Sequence, residues 1–255
     1  MNRRLALVAL LGGFTAFAAD DALPKAETIL DRYIEVTGGK AAYEKRKTEI
    51  ETGTLDFPAQ GLKGTVSRYA AAPDRSYSLL DIDGVGKIEM GVSDGIAWEK
   101  SALLGPRVKS GVEKAQALRE SVFNAQLLWR KIFVKAETAG VETIDGEECY
   151  KVVLTPSEGN PETTYYQKKS GLAVKMSMTA VNQMGEVPVE EIIADYKNFN
   201  GVLSPTTVTQ KAAGQEFTVT IQSVKVNEEI PADRFEPPGE IRTLLNKAAA
   251  PPVKK

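Results

Sequence analysis

Glycine-containing turns recur along most of this chain and divide it into short runs rich in Val, Ile, Thr, Tyr and Phe. The turns are about twelve to sixteen residues apart, and Asp94-Gly95 is a typical tight-hairpin sequence. Parallel neighbours would each need a crossover of about a dozen residues, usually a helix, and no helical segment fits between most of the runs. The pattern therefore predicts an antiparallel meander.

One segment with helical periodicity precedes the strand series, and a second one interrupts it. In Lys25–Thr37 the apolar residues share one broad face, and Gly38-Gly39 ends the helix. In Gly111–Trp129 the apolar positions again repeat at helical spacing, which predicts one amphipathic helix inserted between strands. A short third helix is expected at Glu240–Lys247, after two consecutive prolines.

These elements predict a mainly β (α+β) fold. A sheet of about 11–12 strongly twisted strands curls instead of staying flat. Its concave face must be covered, and the amphipathic helices are the available cover. We therefore expect a curled antiparallel sheet, or incomplete β-barrel, with helices packed on the concave face. Residues 20–238 are expected to form this single domain, and residues 239–255 a short helix and a disordered tail.

The first residues are typical of a signal peptide, which we place at residues 1–19. Arg3 and Arg4 precede an apolar run from Leu5 to Phe17, and a small residue stands on each side of Phe17. The run is shorter than the roughly twenty apolar residues that span a membrane. We expect cleavage near Ala18 and a periplasmic product, without the cysteine that the lipoprotein route requires.

Composition excludes several classes of function. The chain has 32 basic and 34 acidic residues, a net charge of −2, so we expect no nucleic-acid partner. It has no histidine, the usual general base and metal ligand, so we expect no catalytic residues and no enzyme activity. We likewise expect no metal and no cofactor: the calcium-loop-like start at Asp81 lacks its closing glutamate, because Val92 stands there.

Cys149 is the single cysteine, so no intramolecular disulfide can form. It lies inside an apolar run, where a buried and inert thiol is expected in preference to a reactive one.

Strand alternation singles out four residues as candidates for ligand contact. Met176 and Met178 share one face of their strand, and Met90 and Trp98 lie on apolar faces of two others. Methionine is flexible and polarisable, and suits surfaces that accept apolar ligands of variable shape. We predict that these four residues line, or lie close to, an apolar cavity that accepts acyl chains. The alternative is that they form the core beneath the helices.

The order of elements and three local sequences resemble the LolA/LolB lipoprotein-carrier superfamily, in particular exported proteins labelled outer membrane lipoprotein-sorting proteins. The sequences are Ile34–Ala42, the Asp94–Glu99 hairpin and Gly146–Val152. The resemblance covers roughly residues 24–237 and implies an incomplete barrel whose hollow, lidded by helices, takes acyl chains. None of these sequences is a catalytic signature, and the missing lipobox departs from the membrane-anchored receptor branch.

We therefore expect a periplasmic, non-catalytic carrier for a lipid or lipoprotein acyl chain. It is expected to be a monomer that meets a membrane-associated donor or acceptor protein. Moving an acyl chain through water costs about 0.8 kcal/mol per methylene, so a carrier must bury it. One alternative is a periplasmic sensor or protein-interaction module on the same fold. A more remote one is a carboxylate-based hydrolase.

Overall fold

The computed structural model describes residues 22–183 and 185–249, whose strands form one antiparallel sheet of thirteen. The strands are β1 (Thr48–Phe57), β2 (Leu62–Ala71), β3 (Arg75–Ile82), β4 (Gly86–Ser93), β5 (Ile96–Ser101), β6 (Gly105–Val108), β7 (Phe133–Ile144), β8 (Glu147–Pro156), β9 (Glu162–Gln167), β10 (Ala173–Asn182), β11 (Gly185–Phe199), β12 (Val202–Ala212) and β13 (Gln215–Val226). The predicted antiparallel, mainly β fold is confirmed. The structure has one strand more than the largest number predicted. This additional strand is β6, which is four residues long and contains a proline.

The sheet consists of two meanders joined edge to edge. Its order is β6-β5-β4-β3-β2-β1-β13-β12-β11-β10-β9-β8-β7. Strands β1 to β6 follow one another, as do β7 to β13, and the first strand pairs with the last. The ends of the sheet are therefore β6 and β7, which are consecutive in the chain but do not pair with each other.

Five α-helices accompany the sheet. They are α1 (Ala26–Val36), α2 (Lys40–Glu44), α3 (Gly111–Glu120), α4 (Ala125–Ile132) and α5 (Gly239–Ala249). The single helix predicted over Gly111–Trp129 is wrong, because two helices, α3 and α4, occupy this region. The chain breaks at Asn124, which has a left-handed conformation with φ of 53° and donates from its side-chain amide to the Tyr43 carbonyl, 2.8 Å away.

The contacts of α3 show how strongly the sheet curls. This ten-residue helix is about 15 Å long, since an α-helix rises about 1.5 Å per residue. It nevertheless contacts both β5 and β10. Seven strands lie between those two, and they would hold them about 38 Å apart in a flat sheet with about 4.8 Å between strands. The sheet therefore bends around α3 into an incomplete barrel.

The concave face is covered by α1, α3 and α4. Helices α1 and α4 pack on β8 to β10 through an apolar core that includes Leu30, Trp129, Val152 and Tyr166. The predicted packing of helices on the concave face is confirmed for these elements.

The opposite, convex face of β2 to β5 is covered by the C-terminal segment. A short 3-10 helix (Ala232–Phe235) and α5 place Phe235 and Ile241 against Tyr77 and Trp98. The hydroxyl of Ser93 donates to the Phe235 carbonyl at 2.9 Å. Helix α5 also contacts β6, so the helix predicted near the C-terminus packs against the same sheet, on the face opposite to α3.

The proposed signal peptide, residues 1–19, and the end of the chain, residues 250–255, lie outside the described residues. Cys149 is buried and carries a free thiol, and burial raises the pKa of that thiol. Within the described ranges, no helix has both the length and the apolar character needed to cross a membrane.

The close approach of β4 and the Trp98 ring gives a test of this packing. Gly91 lies opposite Trp98, and a Cβ at Gly91 would lie 2.5 Å from the indole, which is almost fully buried. Gly91→Ala should lower the free energy of unfolding by about 1–3 kcal/mol, the usual cost of overpacking. Denaturant titration measures this change.

The matched control is Gly239→Ala at the start of α5, where a Cβ meets nothing within 4 Å. It should change the free energy of unfolding by less than about 1 kcal/mol. Equal stability of Gly91→Ala and the natural protein would contradict the packing of Trp98 on β4.

Candidate functional site

A hollow lies between the helices and the concave face, and it comprises three adjoining cavities. The outer cavity, about 370 Å³, is bounded by Met90 and Ala117. The central cavity, about 330 Å³, is bounded by Tyr43 and Val208. The inner cavity, about 250 Å³, lies between α1, α4 and the sheet. Glu120, the last residue of α3, borders all three, so the cavities lie next to one another.

The inner cavity is the most apolar of the three. Its walls include Leu30, Trp129, Phe133, Leu154 and Met176. These residues come from α1, from α4 and the start of β7, and from the concave faces of β8 and β10. The alternation of β8 and β10 places their apolar side chains on the helix side, where α1 and α4 cover them.

The polar end of the inner cavity is formed by an ion pair between α3 and β9. The Arg119 guanidinium donates from Nε to a Glu162 carboxylate oxygen at 2.9 Å, and its Nη2 lies 2.8 Å from the same oxygen. Burial raises the pKa of Glu162 above its usual value, and the positive charge of Arg119 opposes the rise. The pair thereby ties α3 to the sheet at the cavity boundary.

The outer and central cavities are lined by charged groups. Glu49 forms an ion pair with Arg46, and Glu51 lies 3.7 Å from the Arg68 guanidinium. The Glu120 carboxylate accepts a hydrogen bond from the Gln116 amide at 2.8 Å. These two cavities are therefore more polar than the adjoining inner cavity, which is largely apolar.

The Glu191 carboxylate, like that of Glu120, accepts a hydrogen bond from a side-chain amide. The donor is the amide of Gln210, 2.9 Å away. Burial raises the pKa of Glu191, and the nearby charge of Arg68 opposes the rise. The neutral form of this carboxyl group is thus favoured relative to a solvated glutamate.

Buried tyrosines form the floor near α1. The rings of Tyr33 and Tyr166 meet edge to face with centroids 5.4 Å apart. The Tyr196 hydroxyl donates to the Ala173 carbonyl at 2.8 Å. Burial raises the pKa of Tyr33 to about 12 and raises those of the other two phenols as well. These phenols are neutral at physiological pH, so they cannot serve as general bases there.

The four residues singled out in the sequence lie at different places. Met90 and Trp98 border the outer cavity, and Met176 borders the inner one. Met178 lies on the same face of β10 as Met176. Met90 and Gly91 point to opposite faces, and the Trp98 indole lies over Gly91, so the ring is on the convex face against Phe235. Whether any of the four contacts a ligand stays a prediction.

Sequence reasoning missed the polar residues of the hollow. Arg119, Glu120 and Glu162 are charged residues in amphipathic elements, and such residues are usually solvated. Trp129 was recognisable as an apolar helix position, but its position in a cavity wall was not. No signal in the sequence distinguished Arg119 and Glu162, which are partly buried, from charged side chains that are exposed, as Glu120 is.

The described residues contain no group of three or more His, Cys, Asp or Glu placed to hold a metal ion. The hollow therefore combines an apolar compartment, two more polar ones and charged groups that are already paired with one another.

Solved structures of other proteins share this architecture. A LolA superfamily protein from Nitrosomonas europaea superposes with a TM-score of 0.56 at 12% sequence identity, over 84% of this chain and 99% of that one. A DUF1329 family protein from Desulfovibrio piger gives a TM-score of 0.56 at 14% identity, over 83% and 97% of the two chains. The fold is LolA-like.

A third LolA-like match is a domain named for outer membrane lipoprotein sorting, from Vibrio parahaemolyticus. Its TM-score is 0.53 at 14% identity, over 82% of this chain and 97% of that domain. No family model matches the sequence, and no curated protein matches it significantly. At these identities the similarity establishes the LolA-like fold of this chain.

The half-buried acid Glu191 gives the stability a defined pH dependence. The unfolded chain ionises Glu191 near the ordinary glutamate pKa of 4.5, whereas the folded protein does so only at higher pH. Between these two pKa values the unfolded state therefore binds fewer protons than the folded state, so the free energy of unfolding falls as the pH rises. Glu191→Gln removes this effect, so the variant should gain stability relative to the natural protein as the pH rises above the ordinary glutamate pKa.

Glu142→Gln is a matched control of opposite sign. A hydrogen bond from Lys151 lowers the pKa of the exposed Glu142. The stability from this pair is present above the ordinary pKa and is lost as the pH falls through the lowered one. This variant should therefore lose stability relative to the natural protein as the pH rises. Chemical unfolding at a series of pH values checks both trends, and parallel trends in the two variants would refute the assignment.

Proposed function

We propose that this protein is a non-catalytic carrier that binds the acyl chain of a lipid or lipoprotein in the inner cavity. The observation that supports this most directly is the apolar compartment between α1, α4 and the concave face. Each methylene that is transferred out of water contributes about 0.8 kcal/mol of favourable free energy, so an acyl chain is more stable in a compartment of this kind than in water.

The size and polarity of the hollow fit an amphiphile. Ligand pockets usually measure about 300–1,000 Å³, and the inner cavity of about 250 Å³ adjoins the central one of about 330 Å³. In this proposal the chain occupies the inner cavity, where Met176 contacts it. The head group stays in the polar central and outer cavities, near Met90. Met178 belongs to the surrounding structure of the same proposed site, whereas the Trp98 ring lies on the convex face and contacts no ligand in this proposal.

The role of a carrier rests on the LolA-like fold together with this hollow. The domain from Vibrio parahaemolyticus is named for lipoprotein sorting, and the same class of cargo suits an apolar compartment with a polar entrance. We further propose that the carrier works as a monomer and exchanges its cargo with a membrane-associated donor or acceptor protein.

Protein binding on the same fold is a second candidate function. The turn between β5 and β6 exposes Leu103 and Leu104, with 81% and 62% of their surfaces accessible. Exposed apolar side chains at a turn are a common feature of interaction sites. In this alternative the hollow holds no acyl chain and the turn contacts a partner.

The proposed export of the chain is directly testable. Cleavage near Ala18 should yield a periplasmic protein that begins at Ala19 or Asp20, because a short apolar run and small residues precede this point. N-terminal sequencing of the protein isolated from the periplasm measures this. An intact Met1 on the isolated protein would contradict export by this route.

The proposed acyl site is tested by filling it. Ala125 borders both the central and the inner cavity, so Ala125→Leu places a larger side chain in the path of the ligand. The natural protein should bind the uncharged fluorophore N-phenyl-1-naphthylamine saturably, and methyl decanoate should displace it. Ala125→Leu should weaken methyl decanoate binding by about tenfold or more, as a misfit of a few methylenes does in apolar pockets.

The matched control is Ala59→Leu, which adds the same atoms to an exposed turn. This variant should bind the ester within about twofold of the natural protein. If the folded natural protein shows no saturable binding of fluorophore or ester, the carrier proposal is wrong and the protein-binding alternative gains support.

A further inference from the structure

Trp129 combines two properties that no other described residue of the hollow combines. It borders the inner cavity, and it is 7% exposed with its indole Nε1 buried and without a hydrogen-bond partner in the described structure. A buried N–H without an acceptor is costly, and native proteins retain few of them. Such a donor at a cavity wall is expected where a ligand supplies the acceptor.

The neighbouring acceptors are engaged elsewhere. Glu162 is paired with Arg119 at 2.8 Å, and Glu120 accepts from Gln116. The Trp129 ring is itself stacked against the Arg130 guanidinium, whose centre lies 4.2 Å from the ring centroid. The indole is thus held in place while its N–H group has no acceptor among the described residues.

We propose that Trp129 Nε1 donates a hydrogen bond to the carbonyl oxygen of a neutral acyl ester or amide bound in the inner cavity. This inference rests on the proposed acyl-binding function and deepens it, because it names the chemical class of the ligand. The hydrocarbon chain lies against Leu154 and Met176, and the carbonyl group lies beside α4.

Charge favours a neutral carbonyl over a fatty-acid carboxylate. The guanidinium that borders the inner cavity, that of Arg119, is already paired with Glu162. A ligand carboxylate would also face the negative charges of Glu120 and Glu162, and like charges at short range repel. An ester or amide carbonyl accepts a hydrogen bond without adding a charge. The site therefore selects acylated molecules over free fatty acids.

Access to the donor requires movement of the helix layer. Nε1 is shielded from solvent, so the carbonyl reaches it when the entering chain displaces α4 or its side chains. The segment before α4 contains the left-handed Asn124, where the chain already departs from helical geometry. In this proposal the bound carbonyl gives the buried N–H an acceptor.

The test compares ligands that differ at one group. Methyl decanoate, decyl methyl ether and decanoate each compete with N-phenyl-1-naphthylamine for the natural protein. The ester should bind about fivefold more tightly than the ether, as one net hydrogen bond would give, and more tightly than decanoate. Trp129→Phe keeps an aromatic ring without the N–H group. This variant should lose the preference for the ester while it binds the ether within about threefold of the natural protein.

Trp98→Phe is the matched control. Trp98 Nε1 is equally buried and without a partner, but its ring lies on the convex face against Phe235. This variant should keep the preference for the ester over the ether. Thermal unfolding of both variants shows whether each is folded at the assay temperature.

A spectroscopic measurement on the natural protein keeps the test independent of the folding of Trp129→Phe. The chain has two tryptophans, so a nitrogen-15 spectrum has two indole signals, which Trp98→Phe assigns. Saturating methyl decanoate should shift the Trp129 indole N–H signal downfield and leave that of Trp98 unchanged. Decyl methyl ether should shift it less.

The outcomes separate this inference from the proposed function. If none of the three ligands displaces the fluorophore, the proposed acyl-binding function fails. If ester and ether bind equally and the Trp129 signal does not move downfield, the hydrogen-bond assignment is overturned while acyl binding stands. Tighter binding of decanoate than of the ester would overturn the selection for neutral carbonyls.

Discussion

Charged and polar side chains hold α3 across the curled sheet. Near its N-terminus, Glu113 accepts hydrogen bonds of 2.6 Å from both terminal nitrogens of Arg107 on β6. Near its C-terminus, Arg119 pairs with Glu162 on β9, and Gln116 accepts from the backbone N–H of Val181 at 3.2 Å. The helix thereby links strands near the two edges of the sheet, and the sheet must stay curled for both sets of contacts to form.

The polar character of these contacts explains why a hollow exists under α3. Its one buried residue is Gln116, so the helix is not drawn onto the sheet by a continuous apolar face. Long side chains instead bridge the gap between helix and strands. Removing one partner of a buried ion pair usually costs more than the pair contributes, because the other charge is left unpaired. The contacts therefore fix the position of α3 even where their net stabilisation is small.

Helices α1 and α4 behave differently, and the contrast gives the hollow its two compartments. They bury an apolar stripe, including Leu30 and Trp129, against β8 to β10. The space left beside this stripe is apolar, whereas the space beneath α3 is lined by Glu51, Arg68 and Glu120. An amphiphile has the same division, so one fold can hold a chain and a head group without any rearrangement of the sheet.

Alternation along the strands predicted the sheet correctly, and it placed Met176 and Met178 on one face of β10, because successive side chains of a strand point to opposite faces. It could not tell which face is concave. Around β3 to β5 both faces are covered, by Phe235 and Ile241 on one side and by α3 on the other, so Trp98 and Met90 looked equivalent in the sequence. The break at Asn124 was also missed, since a left-handed residue that bonds to Tyr43 depends on tertiary contacts.

The two halves of the sheet differ in what covers them. This difference determines where the hollow can become larger. Strands β2 to β5 are enclosed between α3 and the C-terminal segment, and Trp98 fills the space over Gly91. The convex face of β8 to β11 instead carries charged side chains. Lys151 and Lys175 lie there on either side of the Tyr165 ring, and each forms an ion pair with a glutamate. In the carrier function that we propose, an entering chain displaces a helix that rests on the sheet largely through one apolar stripe. That helix is α4, eight residues long and packed beside the inner cavity, so its displacement would enlarge the inner cavity while the sheet and α3 keep their positions.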